Sequence, residues 1–160
     1  MSISKMVFAI LLTTGFQVFA EEWDPPNLVA NSGFEEASDS GLPAGWSGDR
    51  SAYSRDTAAA HSGEASLKFV NADPDKYVLC AQHLPFEVGK KYRFSAWVKS
   101  EGIEGEDHGA TICIEYVDAD GKWAGGAYCR TGLKGTTDWT QLEGVSAPVP
   151  EGVVGGTVAC

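Results

Sequence analysis

The sequence predicts an all-β protein, a sandwich or a barrel, and two observations carry this prediction. Residues 91–100 alternate apolar side chains at Tyr92, Phe94, Ala96 and Val98 with Arg, Ser, Trp and Lys. Because a strand sends successive side chains to opposite faces, this period indicates a strand with one dry face. Other short extended segments are separated by turns of Gly, Pro and Asp, and no amphipathic helix of useful length lies between them.

The extended segments ahead of this strand are short, and each is bounded by turn residues. A loop rich in Ser, Asp, Gly and Pro occupies residues 37–43, and His-Ser-Gly at 61–63 is a further turn. We expect short strands or extended pieces at residues 27–36, 51–54, 65–69 and 77–84.

The segments after residue 100 begin with an acidic, Gly-containing stretch at 101–108, which we expect to be a surface loop. Residues 111–117 and 123–130 flank the turn D-A-D-G, and this arrangement predicts a hairpin. The last extended pieces are 139–145 and 153–160. Because apolar alternation is still running at residue 160, we expect a fragment, with its C-terminal strand and further domains beyond that residue.

The N-terminal residues have the order of a secretory signal peptide. A basic residue, Lys5, precedes an apolar run at 6–12 that is too short to span a bilayer, and Val-Phe-Ala at 18–20 is a small-x-small cleavage site. The alternative is a buried N-terminal helix. The prediction is a secreted protein (extracellular, periplasmic or at the cell surface) with a signal peptide, a linker and one domain at residues 1–20, 21–26 and 27–160.

The charge of the chain excludes some partners. The formal net charge is −10 and no cluster of Lys and Arg is present. Such a chain is a poor ligand for nucleic acid or for an anionic membrane, so neither is expected as a partner. The charge is compatible with a neutral ligand or with bound cations, and the alternative is that it serves solubility alone.

Four cysteines follow the signal peptide, and none has zinc-site spacing. Export would make disulfides possible, and four cysteines allow three connectivities. Cys113 and Cys129 flank the predicted hairpin turn almost symmetrically. We therefore favour a Cys113–Cys129 disulfide, with free buried thiols as the alternative.

Catalytic chemistry is not expected in this chain. The acidic residues Glu104, Glu106 and Asp107 lie in the predicted surface loop, with no apolar pocket to raise a pKa. The three histidines are scattered, and no serine lies in a G-x-S-x-G elbow. The alternative is an acid–base site in this loop.

Five motifs in order resemble one known group of domains. They are N-L-V-A-N-S-G-F-E-E, G-L-P-A-G-W, H-S-G-E-A-S-L-K-F, V-G-K-K-Y-R-F-S-A-W-V-K and T-T-D-W-T. Together they resemble the CenC-like carbohydrate-binding modules, which are galactose-binding-like jelly rolls of the families four, nine and twenty-two type. The resemblance implies a jelly-roll β-sandwich of two antiparallel sheets that binds a polysaccharide or oligosaccharide and targets an attached, secreted glycoside hydrolase. The alternative is a structural or adhesion jelly roll that packs on neighbouring domains without binding sugar.

The resemblance also implies a structural calcium ion. The family pattern carries over to the carboxylate of Glu35, the carbonyl of Gly33, the side chain of Ser62 and the carbonyl of Ala65. Calcium prefers six to eight oxygen ligands that mix carboxylates and carbonyls. The family's last ligand, an Asp from a D-D-V-like strand, has no counterpart before residue 160, so the expected set is incomplete. The alternative is that Glu35 is a solvated or hydrogen-bonded acid.

Sugars stack their C–H faces on aromatic rings while polar side chains bind the hydroxyls, so exposed aromatics beside fixed polar groups are the candidates. Trp97 lies on the polar face of the strand predicted at residues 91–100, and Trp123 lies beside the predicted hairpin turn. Tyr128 lies in the core or in a cleft, depending on the hairpin register. The full set of candidates is Trp97, Trp123, Tyr77, Gln82, Tyr128 and Arg93. The alternative for Trp97 is that it covers the sheet beneath a loop. Trp46 and Trp139 fall within the motifs of the resemblance, and we expect both in the core.

Overall fold

The computed structural model describes residues 26–71, 73, 76–104 and 109–160, together with the backbone of Met6 and Val7. Every regular element in these residues is a β-strand, and none of them forms a helix that could span a membrane. The strands are β1 (Met6–Val7), β2 (Ser47–Gly48), β3 (Tyr53–Asp56), β4 (Ser66–Phe69), β5 (Cys80–Leu84), β6 (Arg93–Ile103), β7 (Cys113–Asp118), β8 (Trp123–Tyr128), β9 (Gly135–Val145) and β10 (Val153–Ala159).

The strands form two main sheets and one small one, and all their pairings are antiparallel. The front sheet has five strands in the order β2-β5-β10-β7-β8, and the back sheet has three in the order β1-β6-β9. The small sheet pairs β3 with β4. This sandwich-like arrangement confirms the predicted all-β, jelly-roll fold class. The prediction of a missing strand after residue 160 stays a prediction.

The predicted signal peptide lies mostly outside the described residues. Of its length only β1 is described, and its backbone pairs Met6 with Ala96 and Val7 with Ser95. The acidic residues Glu106 and Asp107, weighed above as catalytic candidates, also lie outside the described residues.

The strand predicted at residues 91–100 is β6, the central strand of the back sheet. In β6, the side chains of Phe94, Ala96 and Val98 are buried, as the alternation predicted. They pack into one core with residues of the front sheet such as Ile114 and Val158. The apolar faces of the two sheets therefore meet in a single core, and the other face of each sheet points outwards.

A close approach in the back sheet gives a stability prediction. Gly144 of β9 pairs with Phe94, and a Cβ at Gly144 would lie 2.9 Å from two ring carbons of Phe94. Because the Phe94 ring is fully buried, it has no room to move. We expect Gly144→Ala to lower the free energy of unfolding by about 1–3 kcal/mol. The neighbouring Val145→Ala, at an exposed position, should change it by less than about 0.5 kcal/mol. Urea unfolding of both variants measures this, and equal stabilities would contradict it.

The two tryptophans of the structural motifs have different environments. Trp46 is buried in the core, and its ring lies 5.2 Å from that of Phe34, centroid to centroid. Trp139, which the motifs also placed in the core, is only half-buried, and its ring meets the edge of His61 on the outer face of the back sheet. The core position predicted for Trp139 is therefore corrected.

The register of the β7–β8 hairpin does not support the predicted Cys113–Cys129 disulfide. Cys113 pairs with Tyr128, one residue away from the symmetric pairing that the disulfide requires. Cys129 belongs to the core, whereas Cys113 alternates with the core residue Ile114 and lies on the other face of β7. All four cysteines are free thiols in this structure. The pairing is corrected because the two side chains belong to opposite faces of the sheet.

Candidate binding face

The outer face of the front sheet carries a row of polar side chains. In β7, Ile114 and Tyr116 point into the core, so Glu115 between them points outwards. Glu115 pairs with Thr157 of β10, and Thr157 pairs with His83 of β5. The antiparallel register therefore aligns three polar side chains across three neighbouring strands.

Three aromatic side chains lie exposed at the same face. Tyr77, Trp123 and Tyr128 expose 82%, 65% and 51% of their surface. Tyr128 pairs with Cys113 and Trp123 pairs with Val117, and both partners point outwards from β7. Val78 packs against the core, so the adjacent Tyr77 points outwards. Desolvation raises the pKa of the Tyr77 hydroxyl, and the nearby Cys113 and Glu115 raise it further. Exposed aromatics gathered in this way are typical of an interaction surface.

A β-bulge places Trp123 and Tyr128 on one face. The two residues are five positions apart in the sequence, so a regular strand would send them to opposite faces. The pairing with β7 shifts between Glu115 and Val117, where β8 contains one extra residue. Gly125 lies in the shifted segment with a φ of 111°, a conformation that glycine adopts readily. The register therefore answers the question left open for Tyr128, which lies outside the core.

A hydrogen bond links one ring of the aromatic pair to an acid. The Tyr128 hydroxyl donates to Oε1 of Glu115 over 3.0 Å. Desolvation and then this bond to Glu115 raise the pKa of Tyr128, while the neighbouring Trp123 acts in the opposite direction. Trp123, Tyr128 and Glu115 thus form one connected group, in which two rings are held beside a carboxylate. Such a group offers flat apolar surface and a fixed acceptor, the combination that suits a sugar ring.

A glycine in β10 lets a histidine lie close to the sheet. A Cβ at Gly155 would lie 3.1 Å from two atoms of the His83 imidazole, so the ring packs over this glycine. His83 is exposed and is aligned with Thr157 and Glu115. The outer face therefore has the aromatic group at one side and a histidine at the other.

Gln82 does not belong to this face, although it was predicted to bind ligand. It pairs with the core residue Val158, and its side chain points inwards. Its Oε1 accepts from the Ala30 amide over 2.8 Å, and its Nε2 donates to the carbonyls of Ala30 and Gly45. Gln82 therefore ties the N-terminal segment to the front sheet, and its predicted ligand role is corrected.

Trp97 and Arg93 lie on the outer face of the other sheet. The imidazole of His61 stacks on the Trp97 indole with 4.3 Å between centroids and 9° between planes. This is the alternative stated for Trp97, that it covers the sheet beneath a loop. Arg93 forms an ion pair with Glu143 of β9 over 2.6 Å. These two candidates belong to a different sheet from Trp123 and Tyr128, so the six predicted residues do not form one site.

Sequence reasoning missed part of the face. The six residues predicted to bind ligand do not include Glu115, His83 or Thr157. Their strands are hydrogen-bonded neighbours, although β10 follows β5 by some seventy positions in the chain. The sequence does show the alternation of side chains along each strand, which marks the outward residues. It does not show which strands are adjacent in the sheet.

The residues implied for calcium fit that ion poorly. The carboxylate of Glu35 accepts the Glu64 amide over 3.1 and 3.2 Å, so Glu35 does lie against the turn that contains Ser62 and Ala65. The guanidinium of Arg55, however, donates to the carbonyls of Phe34 and Glu35, each over 2.7 Å. A fixed positive charge beside the single carboxylate disfavours a divalent cation.

Among the described residues no group of three His, Cys, Asp or Glu side chains is placed to hold a metal. Calcium stays a prediction of the resemblance.

Comparison with known families identifies the group to which the chain belongs. A family model described as a carbohydrate binding domain, covering families four and nine, matches residues 26–146. No curated protein sequence matches the chain. The match spans most of the chain and contains the strands from β2 to β9.

Domains of this kind bind carbohydrate and are not catalytic, which supports sugar binding and the prediction that the chain itself is not an enzyme. The resemblance of the five motifs to carbohydrate-binding modules is confirmed. The chain belongs to the family of carbohydrate-binding domains that covers families four and nine.

Proposed function

We propose that this chain binds a polysaccharide or oligosaccharide across the outer face of the front sheet. Trp123 and Tyr128 stack on sugar rings, and Tyr77 extends the apolar surface. The observation that carries the proposal is the connected group of Trp123, Tyr128 and Glu115, in which the rings are exposed and also held in place. Aromatic rings bury large area at low entropic cost, which suits the weakly apolar faces of sugars.

The polar row supplies the hydroxyl contacts in this proposal. The carboxylate of Glu115 accepts from sugar hydroxyls, and His83 and Thr157 each offer both donor and acceptor atoms. The three lie on neighbouring strands that are about 4.8 Å apart. A sugar chain lying across the strands would therefore meet one polar side chain after another.

We further propose that the module is secreted and holds an attached glycoside hydrolase near its polymer. The N-terminal signal-peptide pattern and the family resemblance support this role. Linking a binding module to an enzyme raises the local concentration of substrate without new contacts in the catalytic domain. In this proposal the hydrolase is a separate domain that follows residue 160.

The alternative is a structural or adhesion domain. The same exposed aromatics would serve equally to pack on a neighbouring protein domain, because apolar patches mark protein interfaces as well as ligand sites. The two functions differ in one property, which is the binding of free glycans by the isolated domain.

Affinity electrophoresis tests the proposal. The acidic domain migrates readily towards the anode on a native gel, so retardation by an embedded polysaccharide is easily measured. Gels containing xylan, mixed-linkage β-glucan, a soluble cellulose derivative or galactan are compared with a gel without glycan. We expect retardation on at least one, relative to a non-binding marker protein. Unchanged mobility on all four would favour the structural alternative.

A further inference from the structure

Two of the four cysteines face each other across the middle of the front sheet. Cys80 begins β5, and Cys160 directly follows β10. The amide of each donates to the carbonyl of the other, both over 3.1 Å. The next pair along, Ala81 with Ala159, keeps the same register. Cys80 and Cys160 are therefore directly opposite residues of a hydrogen-bonded antiparallel pair.

The two thiols point to the same side of the sheet. Cys80 and Cys160 both belong to the core and are buried. Sγ of Cys160 lies 3.6 Å from the carbonyl oxygen of Cys80. In a hydrogen-bonded antiparallel pair the Cα atoms are about 5.5 Å apart. Disulfides span Cα separations of roughly 4.4–6.8 Å, so this pair lies within the range.

The surroundings hold the backbone of this pair in place. Gly48 of β2 lies on the other side of Cys80, where a Cβ would come within 3.0 Å of the Cys80 Cα and Cβ. The Tyr53 hydroxyl donates to the Cys160 carbonyl over 2.6 Å. Directly opposite Cβ atoms lie about 4.5–5.5 Å apart, and a disulfide holds them at roughly 3.5–4.5 Å. A sulfur–sulfur bond therefore requires rotation of both side chains and a small local approach of the two strands.

We propose that Cys80 and Cys160 form an intramolecular disulfide when the chain folds in the presence of a small-molecule disulfide oxidant. One cysteine thiolate attacks the oxidant and displaces one of its thiols, which gives a mixed disulfide. The second cysteine then attacks that bond and displaces the other thiol. Two protein thiols are oxidised and one oxidant disulfide is reduced to two thiols.

The buried position sets when this reaction takes place. Burial raises the pKa of Cys80 to about 12 and raises that of Cys160 well above its ordinary value. Because the thiolate is the reacting form, the folded protein exchanges its thiols slowly. The bond therefore forms as β5 and β10 pair during folding, before the surrounding core excludes the oxidant, and once formed it is shielded from reductants.

Cys113 and Cys129 do not compete for this bond in the folded register. Cys113 points outwards opposite Tyr128, whereas Cys129 lies in the core. Because their side chains lie on opposite faces of the front sheet, the folded register gives neither of them a cysteine partner, and both stay as thiols. The protein therefore carries one disulfide, between Cys80 and Cys160, and two reduced cysteines.

Peptide mapping tests this directly, because trypsin separates all four cysteines. The chain is refolded from denaturant with oxidised and reduced glutathione, alkylated without reduction and digested. Cys80 lies in the tryptic peptide 77–90 and Cys160 in 135–160, while the other two lie in 100–122 and 123–130. We expect peptides 77–90 and 135–160 to be linked, and the other two to be alkylated. A link between any other pair, or four alkylated cysteines, would overturn the proposal.

Thermal unfolding gives a second readout. A bond between residues 80 positions apart restricts the unfolded chain strongly. A chain that is unfolded and refolded in dithiothreitol should therefore have an unfolding midpoint roughly 10 °C lower than the chain refolded with glutathione. The double variant Cys113→Ala and Cys129→Ala should keep this difference. Cys80→Ala with Cys160→Ala should lose it. Equal midpoints for the wild-type chain refolded in dithiothreitol and with glutathione would contradict the proposal.

Discussion

Replacement of Trp123 by alanine should weaken glycan binding roughly tenfold to hundredfold, a loss of about 1.4–2.8 kcal/mol. The indole supplies the larger of the two rings in the connected group, and it lies beside the Tyr128 hydroxyl. Because its side chain is 65% exposed, its removal leaves no cavity. The free energy of unfolding should change by less than about 0.5 kcal/mol. Affinity electrophoresis and urea unfolding of the same preparation measure both quantities.

Trp97→Ala is the matched control for this prediction. Trp97 is also a tryptophan on the outer face of a sheet, but it lies on the back sheet beneath His61. Its removal should cost stability, because the stacked pair is lost, and should leave the affinity for glycan unchanged. The opposite pattern, with binding lost in Trp97→Ala and retained in Trp123→Ala, would move the site to the back sheet.

The bulge in β8 gives the second large effect. Gly125→Val places a β-branched residue at a φ of 111°, where such residues are rarely found. We expect this variant to lose roughly 2 kcal/mol of stability. We also expect it to bind glycan at least about tenfold more weakly, because a β8 strand without the bulge turns Trp123 away from Tyr128.

Deletion of Gly125 is the informative counterpart. It removes the extra residue, so Trp123 and Tyr128 become four positions apart and a regular strand keeps them on one face. The deletion should therefore retain binding within a few-fold of wild type, even though it removes a residue from the site. Far-ultraviolet circular dichroism monitors the fold of both variants. If the deletion variant folds but does not bind glycan, the prediction that the bulge acts only by keeping Trp123 and Tyr128 on one face is wrong.

The fold was predictable because its signals are local. The alternation in residues 91–100 corresponds to β6, and the D-A-D-G turn lies between β7 and β8. Trp46 was placed correctly in the core from its motif. These features depend on side-chain period and turn chemistry, which act over a few neighbouring residues.

The binding face was only partly predictable. Tyr77, Trp123 and Tyr128 were named from the sequence, and the structure exposes all three at one face. Gln82 and Trp97 were named by the same reasoning, and the structure places them elsewhere. The alternation of polar and apolar residues in a strand shows which of its side chains share a face. It does not show whether that face meets solvent, another loop or the second sheet.

By itself the sequence determined the class of the fold, its family and the presence of exposed aromatics near the hairpin. The tertiary structure alone decided which residues meet: Glu115 with Tyr128, Cys80 with Cys160, and Trp123 with the outer face. The physical reason is that strand order and register arise from pairings between distant segments. A single extra residue at a bulge then reverses the face of every side chain beyond it.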